Sequence, residues 1–149
     1  MLRDLAILAC VSLGLAFVTA PALASQLDSS TEFRDTVKPE TVPAALARQG
    51  KISVQPWTDD EKSEMRGYLQ IVFERVPGLF RLGSSQGPIP LYRIDLGSSF
   101  GGHGALWFSY MNVAVVAHEL THVADAEHKI ARSQEFRSLV VTAQVALRH

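Results

Sequence analysis

The amino-acid sequence predicts an α+β fold in which a small mixed or antiparallel sheet is backed by helices. Apolar residues recur every three or four positions over 65–76 and again over 136–147, which is the spacing of amphipathic helices. The segments 89–96 and 105–110 between them are short, apolar and rich in residues that favour strands. With 149 residues, the chain is long enough for one such domain and its core.

Acidic and basic residues are nearly equal in number. The chain has 14 lysines and arginines against 15 aspartates and glutamates, which gives a formal net charge of −1. A protein that binds nucleic acid by neutralising phosphates normally shows a basic excess or a basic stripe. Neither is present, so we expect no nucleic-acid partner.

The N-terminus has the pattern of a secretory signal peptide. The apolar stretch 5–18 is followed by Ala22-Leu23-Ala24, which has the small-x-small spacing of a cleavage site. The stretch is shorter than the roughly 18 residues that a membrane-spanning helix needs. We therefore predict a signal peptide over 1–24, a secreted or periplasmic mature chain, and no stable membrane insertion after cleavage. Cys10, the only cysteine, lies within this signal, so the mature chain has no disulfide.

Residues 25–56 are predicted to form an extended N-terminal arm, and residues 57–149 the domain. Prolines interrupt regular structure in the arm, which holds at most a short helical turn over 44–49. After it, Thr58 and Glu61 form a capping-box pattern that begins a helix ending before Pro77.

The second half of the chain continues with strands and then helices. Glycine and serine dominate 97–104, which predicts a loop between the strands 89–96 and 105–110. Asn112 is predicted to cap a helix over 113–129, and Ser133 to cap a last helix.

Three residues within the helix 113–129 form the pattern HExxH. His118 and His122 are four residues apart, so both imidazoles lie on one helical face and can bind one zinc ion. Glu119 lies about 100° round the helix from His118 and can reach a zinc-bound water without binding the metal itself. Zinc held by such ligands lowers the pKa of its bound water to about 7, and a carboxylate can then accept the water's proton.

The segment 105–128 resembles the zincin metallopeptidases. The resemblance implies a zincin-like α+β domain whose HExxH helix supplies His118 and His122 as Zn²⁺ ligands and Glu119 as general base. It also implies a peptide or protein substrate, hydrolysed by metal-activated water and paired with strand 105–110 at the edge of the sheet. The sequence therefore predicts a secreted or periplasmic zinc-dependent peptidase.

Three residues are candidates for the third zinc ligand. The extended pattern HExxHxxDxxH is similar to that of the metzincins, in which the last histidine, here His128, binds zinc, although Asp125 stands where metzincins have glycine. In an unbroken helix His128 would lie about 280° round and ~15 Å along from His118. Zincins of the glutamate-ligand type take a glutamate from a later helix, where Glu135 is available. Asp125 is a further candidate, although its position one turn beyond His122 suits an outer hydrogen bond better.

Two other functions remain open from the sequence. The first is a catalytically degenerate zincin-like binding domain that lacks a complete zinc site. The second is a small structural envelope protein, for which both histidines would tolerate replacement by alanine. His103, in the glycine-rich loop, is an additional candidate for contact with a substrate carbonyl, although loop histidines are more often simply exposed. Nothing in the sequence indicates an oligomeric state.

Overall fold

The fold is that of a computed structural model, which describes residues 20–38, 41–50, 52–83, 86–127 and 134–146. The elements follow one another as α1 (Ala20–Ser30), β1 (Thr31–Arg34), α2 (Ala44–Ala47), β2 (Val54–Gln55), α3 (Asp59–Arg75), α4 (Pro77–Gly83), β3 (Ile89–Ile94), β4 (Phe100–Gly102), β5 (Ala105–Phe108), α5 (Val113–Glu127) and α6 (Gln134–Ala146). None of the helices in these ranges combines the length and apolar character that a membrane crossing requires.

The strands form one mixed sheet in the order β1-β3-β5-β4. Strands β1 and β5 pair with β3 in parallel, while β4 pairs with β5 in antiparallel fashion. Strand β2 pairs antiparallel with the end of β3, on the same side as β1. The predicted α+β class with a small mixed sheet and helices is therefore confirmed.

The segment predicted as an extended arm is part of this sheet. Its first residues, 25–30, form the C-terminal half of α1, so the prediction of an extended chain is wrong there. Leu27 of this helix packs into the core between the sheet and the helices. Both β1 and β2 then pair with β3, which makes the segment continuous with the domain that follows. The short helical turn predicted near 44–49 is confirmed as α2.

Both faces of the sheet are buried. Because side chains alternate along a strand, Leu91 and Phe108 face the helices while Tyr92 and Trp107 face the opposite side, where their rings stack with centroids 4.2 Å apart. The second face is covered by apolar side chains of the segment 25–56, which we call the N-terminal segment. They are Val37, Val42, Leu46, Ile52 and Val54. This cover explains why every residue of β5 is buried.

The predicted helix starts agree with the structure where it describes them. Thr58 and Glu61 form a complete capping box at the start of α3, which ends at Arg75. A short helix that the sequence did not predict, α4, then begins at Pro77, a residue well suited to a first helical position. Asn112 caps α5 by accepting a hydrogen bond from the Val115 N–H at 2.9 Å. Ser133 and most of the predicted signal peptide lie outside the described residues.

Candidate metal centre

Helix α5 presents an apolar face to the core and a polar face to a cleft. Val116, Leu120 and Val123 are fully buried in the helical core, at the three- and four-residue spacing of one helix face. This packing fixes the rotation of the helix about its axis. His118 and His122 are half-buried on the side that borders the cleft.

The two imidazoles face each other. Nε2 of His122 lies 3.2 Å from Nε2 of His118, and the rings are nearly perpendicular with centroids 4.8 Å apart. Two nitrogens bound to one tetrahedral zinc ion at the usual Zn–N length are separated by about 3.3–3.4 Å. The observed separation therefore fits a pair of zinc ligands without rearrangement of the helix.

The cleft has a volume of about 770 Å³. Residues 99–104 form one wall, and His118, Glu119, His122 and Ala126 form the other. The HExxH side chains therefore share one solvent-accessible space.

Two predictions about the strands opposite the helix are wrong. Residues 97–104 are predicted as a loop, but they contain β4, and this strand rather than β5 is at the edge of the sheet. Strand β5, predicted as the edge strand over 105–110, lies between β3 and β4 and ends at Phe108. The physical reason is a tight hairpin, because His103 and Gly104 have φ angles of 51° and 70°, as a two-residue type I′ turn requires.

Glycine at position 101 allows the edge strand to approach the helix. A Cβ atom added to Gly101 would lie 2.6 Å from the carbonyl carbon of Glu119, a separation that side chains do not tolerate. The sequence did not predict this contact. The signal for it is the pair of adjacent glycines, Gly101 and Gly102, because glycine within a strand often marks a close approach of another backbone. Gly101 and Glu119 both line the cleft, so the backbones of its two walls are in direct contact here.

His103 lies at the tip of the hairpin and lines the cleft. Its side chain is exposed and its φ angle is positive, a conformation in which histidine is enriched over most residues other than glycine. The structure therefore places this histidine at the rim of the same space as His118 and His122.

Among the residues that the structure describes, two of the predicted zinc ligands come together and a third does not. Within the described ranges, no three His, Cys, Asp or Glu side chains are grouped so as to hold a metal ion. His128 lies outside the described residues. Glu135 lies in α6, but the structure does not describe its side chain. The prediction that one of these residues completes the site therefore stays a prediction.

Asp125, the other candidate, is directed into the protein interior. Its side chain is fully buried, and Oδ1 lies 2.6 Å from Nη1 of Arg137 on α6. Sequence reasoning did not single out Arg137, because the pairing depends on how α6 packs against α5. The position of Asp125 agrees with a supporting role better than with direct contact to metal in the cleft.

Comparison with known proteins adds no assignment to this geometry: no protein-family model, no curated protein and no solved structure matches the chain.

Proposed function

We propose that this protein is a zinc-dependent peptidase of the zincin type, which hydrolyses peptide bonds in an extended peptide or protein. The observation that carries the proposal is the facing pair of imidazole nitrogens, 3.2 Å apart on one helix and open to a cleft. A signal peptide over 1–24 and a secreted or periplasmic location remain part of the proposal.

His118 and His122 would hold the metal through their Nε2 atoms. When bound there, zinc supplies a Lewis acid that polarises a carbonyl and lowers the pKa of a coordinated water to about 7. The packing of α5 against the core keeps both rings on the cleft side, so the pair is organised before metal binds. A third ligand from His128 or Glu135 would complete the set.

Glu119 is the group that moves the proton. It lies next to His118 in sequence and lines the same cleft, so its carboxylate can accept a proton from the attacking water. The same carboxylate can then deliver that proton to the departing amine nitrogen. This transfer lets a neutral amine leave, which a peptide bond requires for cleavage at ordinary pH.

Strand β4 would hold the substrate by adding a strand to the sheet. Gly102 and Ala105 flank the two-residue turn, so they form a hydrogen-bonded pair, and the next pair, Gly101 and Leu106, does not. The N–H and C=O of Gly101 consequently point away from β5, toward the outer side of the strand, where Gly101 is buried. An extended peptide would pair with those two groups, beside the HExxH helix, by displacing the groups that cover them.

Replacement of Glu119 tests the reaction while sparing the metal ligands. We expect Glu119→Gln to lower hydrolysis of a fluorescence-quenched unfolded protein by about 10²- to 10⁴-fold, with zinc content unchanged. Glu74→Gln, an exposed glutamate on α3, is the matched control and should leave the rate unchanged. Equal activity in wild type and Glu119→Gln would overturn the proposed mechanism.

A catalytically degenerate zincin-like binding domain is the second candidate. The observation in its favour is that the described residues supply two potential ligands and no grouped third. Such a domain would bind an extended peptide at β4 without hydrolysing it. Peptide binding that persists in the absence of zinc, together with no hydrolysis when zinc is added, would support this candidate.

A further inference from the structure

A buried charge lies on the HExxH helix beyond the histidines. Asp125 is 0% exposed, whereas Arg137 opposite it on α6 is 39% exposed at the side chain. Burial of a carboxylate is costly unless a partner of opposite charge compensates it. Arg137 supplies that charge at 2.6 Å, but neither Asp125 oxygen receives a well-aligned hydrogen bond from the described residues.

The position of Asp125 relates this charge to the two imidazoles. It follows His118 by seven residues and His122 by three, so it lies on nearly the same side of α5 as both histidines. The helix is continuous through all three positions. A displacement of this end of α5 that brought Asp125 closer to water would therefore also displace His122, one helical turn away.

The neighbouring helix holds this part of α5 in place. Val141 and Val145 of α6 are buried in the same core as Val123 and Ala124 of α5. The ion pair is a charged contact at one end of this apolar interface. The interdigitated apolar side chains and the charge pair at 2.6 Å together favour one register of α6 along α5.

We propose that the Asp125–Arg137 ion pair holds the C-terminal part of α5, which carries His122, in the position that metal binding requires, by helping to fix the register of α5 against α6. Both are positioning residues, because neither lines the cleft among the described residues. The inference rests on the proposed function, since it assumes that the histidine pair binds zinc. It assigns Arg137, on another helix, a role in the affinity of the metal centre.

Zinc affinity is the quantity that tests the ion pair. We expect Arg137→Met to weaken zinc binding by about 10-fold, the lower end of the range for groups hydrogen-bonded to zinc ligands, because the ion pair acts on the histidines only through the helix. It should also alter the visible absorption spectrum of the Co²⁺-substituted protein, which reports ligand geometry. Arg137→Lys should recover part of the affinity. Arg34→Met, which breaks the exposed pair with Glu32, is the matched control and should bind zinc as wild type does.

The double variant separates positioning from folding. In Asp125→Asn/Arg137→Met no uncompensated carboxylate is buried, so this protein should be more stable than Arg137→Met yet still bind zinc less tightly than wild type. If it binds zinc within twofold of wild type and shows the same Co²⁺ spectrum, the pair serves folding only and the inference fails. Wild-type protein that binds no zinc would overturn the proposed function as well.

Discussion

Gly101 of the edge strand packs directly against the main chain of Glu119 on the HExxH helix. A methyl group on Gly101 would meet the Glu119 carbonyl group, with 2.6 Å to its carbon atom, and backbone atoms cannot move aside as a flexible side chain would. Both residues line the cleft, so this contact joins its two walls. It also brings β4, the last strand in the order of the described sheet, beside the residue that would act as general base.

Gly101→Ala should therefore destabilise the protein and disturb the cleft. We expect a loss of about 1–3 kcal/mol in the free energy of unfolding, the range for an over-packed site, measured by urea denaturation. Gly97→Ala is the matched control, because a Cβ there has no neighbour within 4 Å, and its effect should stay within about 0.5 kcal/mol. Equal stability of the two variants would show that β4 can move away from α5 at little cost.

The local parts of this fold could be predicted because their signals are local. The capping box of Thr58 and Glu61 and the cap at Asn112 depend on residues three positions away, and both are present. The facing histidines follow in the same way, because a spacing of four residues on a helix places two side chains on one face.

The parts that could not be predicted depend on contacts between distant segments. Nothing near Arg137 in the sequence indicates Asp125 as its partner, since the pairing arises from the packing of α6 on α5. The same holds for the edge of the sheet. A strand of three residues with two glycines has little propensity of its own, and β4 forms because a tight turn pairs it with β5.

Zinc should stabilise the folded protein. If the native state binds zinc and the unfolded chain does not, zinc at 100 times its dissociation constant adds about 2.7 kcal/mol to the free energy of unfolding. We expect Tm to rise on addition of zinc and to fall again with a chelator, as followed by circular dichroism. His122→Ala should remove the response, and Mg²⁺, which prefers oxygen ligands, should not produce it in wild type. A zinc response of the same size in His122→Ala would place the metal elsewhere.

Glu61 should make stability depend on acid pH. A hydrogen bond from the Thr58 backbone N–H, and more weakly the bond from Arg93, hold the pKa of Glu61 below its ordinary value despite partial burial. A carboxyl whose pKa is lowered by folding contributes stability that is complete above its unfolded pKa of about 4.3 and is lost as the pH falls through the folded pKa.

Glu61→Gln isolates this contribution. Glutamine can still complete a capping box, so the variant removes the charge and keeps the backbone hydrogen bond. The difference in unfolding free energy between wild type and Glu61→Gln should be positive at pH 6 and should shrink toward zero near pH 3. Urea titrations at both pH values measure it. A difference that does not change with pH would mean that the ionised form of Glu61 gains nothing from Thr58 and Arg93.

The N-terminal segment 25–56 should be essential for folding. Leu46 is fully buried beneath the second face of the sheet, in the cluster that contains the stacked Tyr92 and Trp107. Leu46→Ala should lower the free energy of unfolding by about 2–5 kcal/mol, as core truncations do, and weaken the near-ultraviolet circular dichroism of the stacked rings. Arg48→Ala, at an exposed position two residues further on, should change stability by less than about 0.5 kcal/mol. If Leu46→Ala and Arg48→Ala have the same free energy of unfolding, the second face of the sheet does not depend on the packing of this segment.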